Sequence, residues 1–324
     1  MSANLPLVSI VIPFYNTVEW LGEAIESVLK QTYADFELIL ADNCSSDGSA
    51  EVARRFAQQD ARIRYLRFEE LLPQVPNYNR ALTHMAPGAK YCKVVQADDR
   101  IMPECLERMV ALAEAHPAVG LVSSYYLQGE ALMARGLDAG REVFDGREIG
   151  ALQLMGQGFY VGSPSAVMYR ADIVRARPAF YRTGRLHEDT EAAYDILLEH
   201  DFGFVHQVLS FLRVDGDSIM GRAEGFNSGD LDEIICLHEY GDRFLTVEQR
   251  RSREREVRAT YHRFLARSLL RFGNRDLWNY QRKALATIGE TLPRAAIAKS
   301  ALWMTVGKLL HPARTLAGLL RRAH

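Results

Sequence analysis

No stretch of the 324-residue chain reaches the roughly 18 uninterrupted apolar residues that a membrane-crossing helix requires. Cysteine is scarce: the four (Cys44, Cys92, Cys105, Cys236) show neither metal-ligand spacing nor the framework of a disulfide-stapled secreted domain. Cys92 falls in an expected strand and Cys105 in an expected helix, where buried thiols are commoner than reactive ones. The N-terminus has no basic leader, and Pro13 cuts its apolar run short, so no signal peptide is expected. These absences together predict a cytoplasmic protein in a reducing compartment. A basic phosphate-binding loop near the N-terminus is also missing, which argues against nucleotidyl transfer. The aromatics of the basic C-terminal part are not spaced as stacking platforms, so nucleic acid is not an expected partner. No internal repeat is evident.

The remaining composition is that of an ordinary globular chain, 48% hydrophobic and 25% charged, with enough length for a sizeable core. The net charge of −2 hides an uneven distribution. From Arg243 onward there are 18 Lys/Arg against 5 Asp/Glu, and no acid follows Glu290. A basic half can face an anionic surface, or it can pair with the acidic half.

Apolar runs and helical repeats alternate through the first two fifths of the chain. Leu7 to Ile12 is a strand ended by Pro13. Asn16, with Glu19 three residues on, reads as a capping box for a helix bearing Leu21, Ala24, Ile25 and Val28. Strands are expected at Phe36–Ala41, Ile63–Leu66, Tyr91–Ala97 and Val119–Leu127. Helices are expected after Gly48, over Asn77–Met85 and over Glu104–Ala115. Later come a strand over Ala166–Tyr169, a helix from Glu188 to His200, and two short strands within Phe202–Val214. From about Asp230 the pattern is helical. Strands alternating with helices predict an α/β domain with a parallel sheet covered on both faces. Ligands then bind beyond the carboxyl ends of the strands. Tyr15 and Asn16, then Asp42, then Asp98 and Asp99 all fall at that edge. Adjacent carboxylates repel each other, and a divalent cation holding a diphosphate relieves the repulsion.

The runs Val8-Ser9-Ile10-Val11-Ile12-Pro13-Phe14-Tyr15-Asn16 and Ala41-Asp42-Asn43-Cys44-Ser45-Ser46-Asp47-Gly48-Ser49, followed by Asp98-Asp99, resemble the family 2 glycosyltransferases of the GT-A fold. The similarity extends in order from Val8 to about Ser218. It implies a Rossmann-like, mostly parallel sheet flanked by helices over residues 1–222; the helical pattern and basic charge beyond it mark a separate C-terminal region over 223–324. It also implies the roles that follow. Asp42 accepts a hydrogen bond from the nucleotide base, and an acceptor-only carboxylate suits the N3–H of uracil or thymine. Pro13 and Tyr15 line the base and ribose. Asp99 ligates Mg²⁺ or Mn²⁺ on the diphosphate, with Asp98 nearer the ribose or the metal shell. Ser163, in Gly162-Ser163-Pro164-Ser165, lies under the donor sugar. Arg80 supplies positive charge where Tyr78 replaces a frequent arginine. In Leu186-His187-Glu188-Asp189-Thr190, Asp189 is the general base and Glu188 orients the acceptor, while His187 reads as an exposed histidine. Two departures stand out: Gln96 occupies the place of a further acid, and Asp215, in Arg213-Val214-Asp215-Gly216-Asp217-Ser218, occupies that of a frequent histidine.

The expected activity is single-displacement, inverting transfer from a UDP-sugar or dTDP-sugar to a glycan or lipid-linked acceptor in envelope polysaccharide synthesis. The alternative is a nucleotide-sugar-binding or membrane-scaffold protein with impaired catalysis. In the tail, Arg250, Arg251, Arg253, Arg255, Arg258, Arg263, Arg267 and Arg271 alternate with Tyr261, Phe264, Leu265, Leu269 and Leu270, and Trp303 follows. This pattern fits a helix lying on the anionic inner face of the plasma membrane. Packing of the helix on the catalytic domain, or a homodimer contact, is the alternative.

Overall fold

Residues 7–183, 187–214, 228–269 and 275–310 are described by a computed structural model. Among them, β1 (Val8–Phe14), β2 (Phe36–Asp42), β3 (Ile63–Arg67) and β4 (Tyr91–Val94) pair in parallel, in the spatial order β3-β2-β1-β4. The connecting helices are α1 (Leu21–Leu29), α2 (Ser49–Gln59) and α3 (Gln74–Leu82). β9 (Met168–Arg170) inserts antiparallel between β4 and β6 (Val119–Gln128). β10 (Asp201–Leu212) runs parallel to β6, and β5 (Arg100–Ile101) closes that side antiparallel to β10. β7 (Ala131–Met133) and β8 (Val143–Phe144) add short antiparallel partners to β6 and β10. The sheet is thus mixed, its long strands mostly parallel. α4 (Cys105–Ala115), α5 (Gly146–Leu154), α6 (Ala171–Arg175) and α7 (Glu188–Leu197) complete this part. Every residue of β1 is buried, as a strand covered on both faces must be. Ile10, Ile12, Leu38 and Leu40 pack with Leu21, Ile25, Leu106 and Met109 in the core.

Four local expectations are corrected. Pro13 does not end β1 but lies within it, opposite Ala41. Val11 O accepts from Val95 N and Phe14 O from Asn43 N, so alternation points the Pro13 nitrogen toward β4, which pairs only as far as Val11. Its missing donor therefore costs no ladder bond. Asn16 is not a helix cap: it adopts a left-handed backbone (φ 51°), and its Oδ1 accepts from Ser46 N at 2.9 Å. α1 starts later, at Leu21, whose N–H finds Thr17 O. β4 stops at Val94, because Gln96 N turns to Ser165 Oγ (2.9 Å) and Asp99 N to Gln96 O (3.1 Å). Phe202–Val214 does not hold two strands: β10 is one strand whose register against β6 shifts three times.

The chain divides into two compact units, Met1–Asp215 and Gly216–His324. The boundary expected at residue 222, and the departure at Asp215, lie outside the described residues. The second unit comprises α8 (Ser228–Phe244), α9 (Val247–Leu269), α10 (Arg275–Ala286) and α11 (Arg294–Leu310). α9 is its core helix: Val257, Tyr261, Leu265 and Ala266 are buried, and Tyr261 OH donates to Gln281 Oε1 at 2.6 Å. Three of its arginines are engaged locally. Arg250 pairs with Asp242 and Glu254, Arg253 with Glu233 and Glu256, and Arg258 with Glu290. No described helix is long and apolar enough to cross a membrane.

Candidate active site

The loops after β1 and β2 are laced together. Asn16 N donates to Ser45 Oγ (3.1 Å), Thr17 N to Ser49 Oγ (2.9 Å) and Val18 N to Asp47 Oδ2 (2.9 Å). Left-handed Cys44 (φ 66°) and Gly48 (φ 100°) let the acid loop curl back before α2. Tyr15 stands at this edge, 44% exposed, while Pro13 is buried in β1. Asp42, the last residue of β2, is fully buried. Its Oδ1 accepts from Ser45 N (2.8 Å), and its Oδ2 accepts from Tyr65 OH (2.8 Å) and Arg67 Nη1 (3.0 Å). A carboxylate has about four lone-pair sites, so about one remains. Arg67 is the exposed member of this group.

Arg80 braces the neighbouring wall. It donates to Asn43 Oδ1 (2.8 Å), Asn77 Oδ1 (3.0 Å) and Glu70 O (3.2 Å), and its plane lies 3.7 Å from the Phe68 ring centre. Burial pulls its pKa down. Asn79 ties the same helix to Tyr181 through both its amide atoms (2.7 and 2.9 Å).

The turn after β4 carries the acid pair. Asp99 is buried, and its Oδ1 accepts from Arg213 N at 3.0 Å. Its Oδ2 is buried with no hydrogen-bond partner. Burial, followed by the charge of Asp98, pushes the Asp99 carboxyl up to about 7, against opposing pulls from Ser165 and Arg213. An orphaned, electron-rich oxygen beside a second acid fits a divalent cation. Among the described residues, no group of three or more His, Cys, Asp or Glu side chains could hold a metal alone. The residues therefore fit a cation whose other ligands come from a bound diphosphate.

Arg213 anchors this turn from the end of β10. Besides its backbone contact, its Nε donates to Asp98 O (3.1 Å) and its Nη2 to Glu23 Oε2 (2.7 Å), and its guanidinium lies 3.7 Å from the Trp20 ring centre. Ser165, fully buried, accepts from Gln96 N at its hydroxyl, and it opposes the rise that burial gives the Asp99 pKa. Ser163 Oγ, two residues earlier, is buried without a partner. Gly162 is required there: its φ is +78°, and a Cβ would meet Ala166 Cβ at 2.8 Å. Beneath lies Lys93, fully buried, with Nζ donating to Val167 O at 3.2 Å; burial depresses its pKa.

α7 opens with Glu188 and Asp189, so both sit at the positive end of a helix. Thr190 N donates to Asp189 Oδ1 at 2.7 Å. Burial raises the Asp189 pKa, against the pull of His187. Glu188 is pushed up to about 7 by burial and then by the Asp189 charge. His187 is not exposed as expected. It is half-buried and left-handed (φ 71°), its Nε2 is buried without a partner, and burial holds its pKa down.

Tyr78 links these parts. Its buried hydroxyl is pushed up by burial first, and it feels the charges of both Asp98 and Glu188. Tyr78 thus lies within electrostatic reach of both the acid pair and the start of α7. Tyr78, Ser165 and Arg213 were legible in the sequence as members of motifs, but not as partners of the acids. Nothing local in the chain signals that Arg213 reaches Asp99 across more than a hundred residues.

Residues 9–177 match the family model described as glycosyl transferase family 2. EpsE of Bacillus subtilis is 32% identical over 238 residues, covering 72% of this chain and 81% of that protein. GlyG, a glycosyltransferase of Streptococcus pneumoniae, is 34% identical over 120 residues; the match spans 37% of this chain but only 39% of GlyG. Among solved structures, S. aureus TarS 1-349 in complex with UDP-GlcNAc aligns with a TM-score of 0.61 at 15% identity, covering 89% of this chain and 82% of that one. The mannosyltransferase PcManGT from Pyrobaculum calidifontis, in complex with GDP-Man and Mn²⁺, aligns at 0.55 and 16%, covering 95% and 82%. At such identities the structural likeness speaks for the fold.

Proposed function

Because the chain belongs to glycosyl transferase family 2, we propose that it is a metal-dependent, inverting glycosyltransferase. It moves a sugar from a UDP-sugar, or second a dTDP-sugar, to a glycan or lipid-linked acceptor in envelope polysaccharide synthesis. The observation that carries this reading is the buried Asp99 carboxylate with one orphaned oxygen, with a second pair of acids, Glu188 and Asp189, opening α7. The TarS structure is a complex with UDP-GlcNAc, and the PcManGT structure a complex with GDP-Man and Mn²⁺.

In this reading Tyr15 and Pro13 line the base and ribose. Asp42 accepts the N3–H of the base once the exposed Arg67 side chain swings aside. Asp98 and Ser163 face the ribose and the sugar, Arg80 stiffens the wall of the site, and Asp99 would hold Mg²⁺ or Mn²⁺. When bound, the cation offsets the charge that builds on the departing diphosphate. The acceptor hydroxyl lies against Glu188 and Asp189. Asp189, with its raised pKa, is a stronger base than an exposed aspartate and takes the hydroxyl proton as the oxygen attacks the anomeric carbon. The bond to the diphosphate breaks on the opposite face, so configuration inverts. No covalent intermediate is needed. The remaining work is positioning, which Arg213, Ser165 and Asn79 supply through the turns they brace.

The test is release of free nucleoside diphosphate by the purified chain with Mn²⁺, over a panel of UDP-, dTDP- and GDP-sugars, with and without lipid and glycan extracts as acceptors. Release fastest with one UDP-sugar and stimulated by an acceptor supports the reading. Tight nucleotide binding without turnover on any donor–acceptor pair supports instead the impaired binding or scaffold protein.

A further inference from the structure

The sequence places basic charge all along the tail, but the structure distributes it unequally. On α9, Arg250, Arg253 and Arg258 are engaged by acids of the same unit, and the apolar stripe of Tyr261 and Leu265 is buried. The apolar stripe of Tyr261 and Leu265 that α9's sequence offered is thus covered within its own unit. α11 differs. Ile297 is buried inward, while Arg294, Ala295, Ala298, Lys299, Leu302 and Trp303 are all exposed. These six fall at two interleaved steps of four residues, which is a single stripe along a helix. Its C-terminal part ends in two large apolar side chains, Leu302 (65% exposed) and Trp303 (67% exposed). No acidic residue occurs anywhere in α11.

From this we infer that the exposed stripe of α11, and not α9, is a docking surface for an anionic lipid bilayer, with Leu302 and Trp303 inserted at the interface and Arg294 and Lys299 against the headgroups. Charge complementarity selects the occupant. A cationic stripe without acids suits phosphate-bearing headgroups, and indole is the side chain best fitted to the boundary between headgroup and acyl chain. A neutral protein partner would leave both cations unmatched. The inference is independent of the catalytic reading, because it concerns binding to lipid rather than turnover.

The test uses the full chain and two kinds of vesicle, phosphatidylcholine alone and phosphatidylcholine with phosphatidylglycerol, read by flotation. The wild-type chain floats with the anionic vesicles and far less with the neutral ones. Arg294→Glu/Lys299→Glu and Leu302→Ser/Trp303→Ser each weaken anionic binding at least about tenfold, since each basic residue near the surface is worth roughly fivefold. The control Arg251→Glu/Arg255→Glu, on the exposed side of α9, changes binding far less. All four positions on α11 are exposed, so folding should survive, and the circular dichroism spectrum checks it. Three results overturn the inference: no flotation of the wild type with anionic vesicles, loss of binding in the α9 variant but not in the α11 variants, or a wild-type dimer that Leu302→Ser/Trp303→Ser converts to monomer while vesicle binding is unchanged. The last outcome would make the stripe a contact between copies. The nucleoside diphosphate assay without vesicles reports separately on catalysis.

Discussion

Replacing Asp42 separates a structural role from a recognition role. The carboxylate is fully buried and accepts from Ser45 N–H, Tyr65 OH and Arg67. Asp42→Ala strands the buried Ser45 N–H, which costs about 1–3 kcal/mol. Tyr65 and Arg67 border solvent and rehydrate, so they add little. The total is about 2–3 kcal/mol, read as a fall of about 1 M in the urea midpoint at constant slope. Asp42→Asn keeps a carbonyl oxygen for Ser45 N–H and should cost only about 1 kcal/mol. It nevertheless turns an amide N–H toward the N3–H of a pyrimidine base and removes a charge-assisted bond, so UDP binding by calorimetry should weaken about 10–100-fold. If Asp42→Asn binds UDP as the wild type does, Asp42 serves the loop and does not read the base. If Asp42→Ala unfolds at the wild-type midpoint, the description of the buried network is itself wrong.

Further outcomes follow from the same geometry. Asp99 has its folded pKa raised to about 7, above its unfolded value, so its contribution to stability is fully present at acid pH and lost as pH rises through about 7. Asp99→Asn should thus be more stable than the metal-free wild type at about pH 8, by a few kcal/mol at most, with the gap closing toward about pH 5, as urea titrations would show; a gap that widens on acidification contradicts this. The acid limb of the kcat/KM–pH profile should lie above the ordinary aspartate range, since Asp189 must be ionised and its pKa is raised. A limb at or below that range removes Asp189 as the base. Gly203→Ala should cost about 1–3 kcal/mol, because its Cβ would meet Leu112 Cδ2 at 2.5 Å and Val119 Cγ1 at 3.1 Å; thermal unfolding at the wild-type midpoint would refute the packing.

The parallel half of the sheet was legible because both faces of its strands are covered, so β1 and β2 read as continuous apolar runs ending in polar loops. The antiparallel additions were not. β5 has only two residues and β9 three, too few for any period to show. β10 looked like two strands because its irregular register against β6 breaks the alternation. In the site, the acids stood out because charges at strand ends need a reason. Their supports did not: Arg213, Ser165 and Tyr78 act through contacts between segments far apart in the chain. Asn16 misled for a related reason, since its amide is taken by Ser46 across the loop and not by its own helix. In the tail, sequence counts charges but not their partners, and only the fold shows that Arg250, Arg253 and Arg258 are engaged within α9's own unit.

The central claim is that Asp189 removes the acceptor proton while Asp99 serves the diphosphate side. Its most direct test measures donor binding and turnover in parallel for the wild type, Asp189→Asn and Asp99→Ala. The account predicts that Asp189→Asn binds UDP and Mn²⁺ as tightly as the wild type yet loses at least about a hundredfold in turnover, the scale of general-base catalysis, whereas Asp99→Ala loses Mn²⁺-dependent UDP binding itself. Turnover of Asp189→Asn within a few-fold of wild type, with donor binding intact, would contradict it.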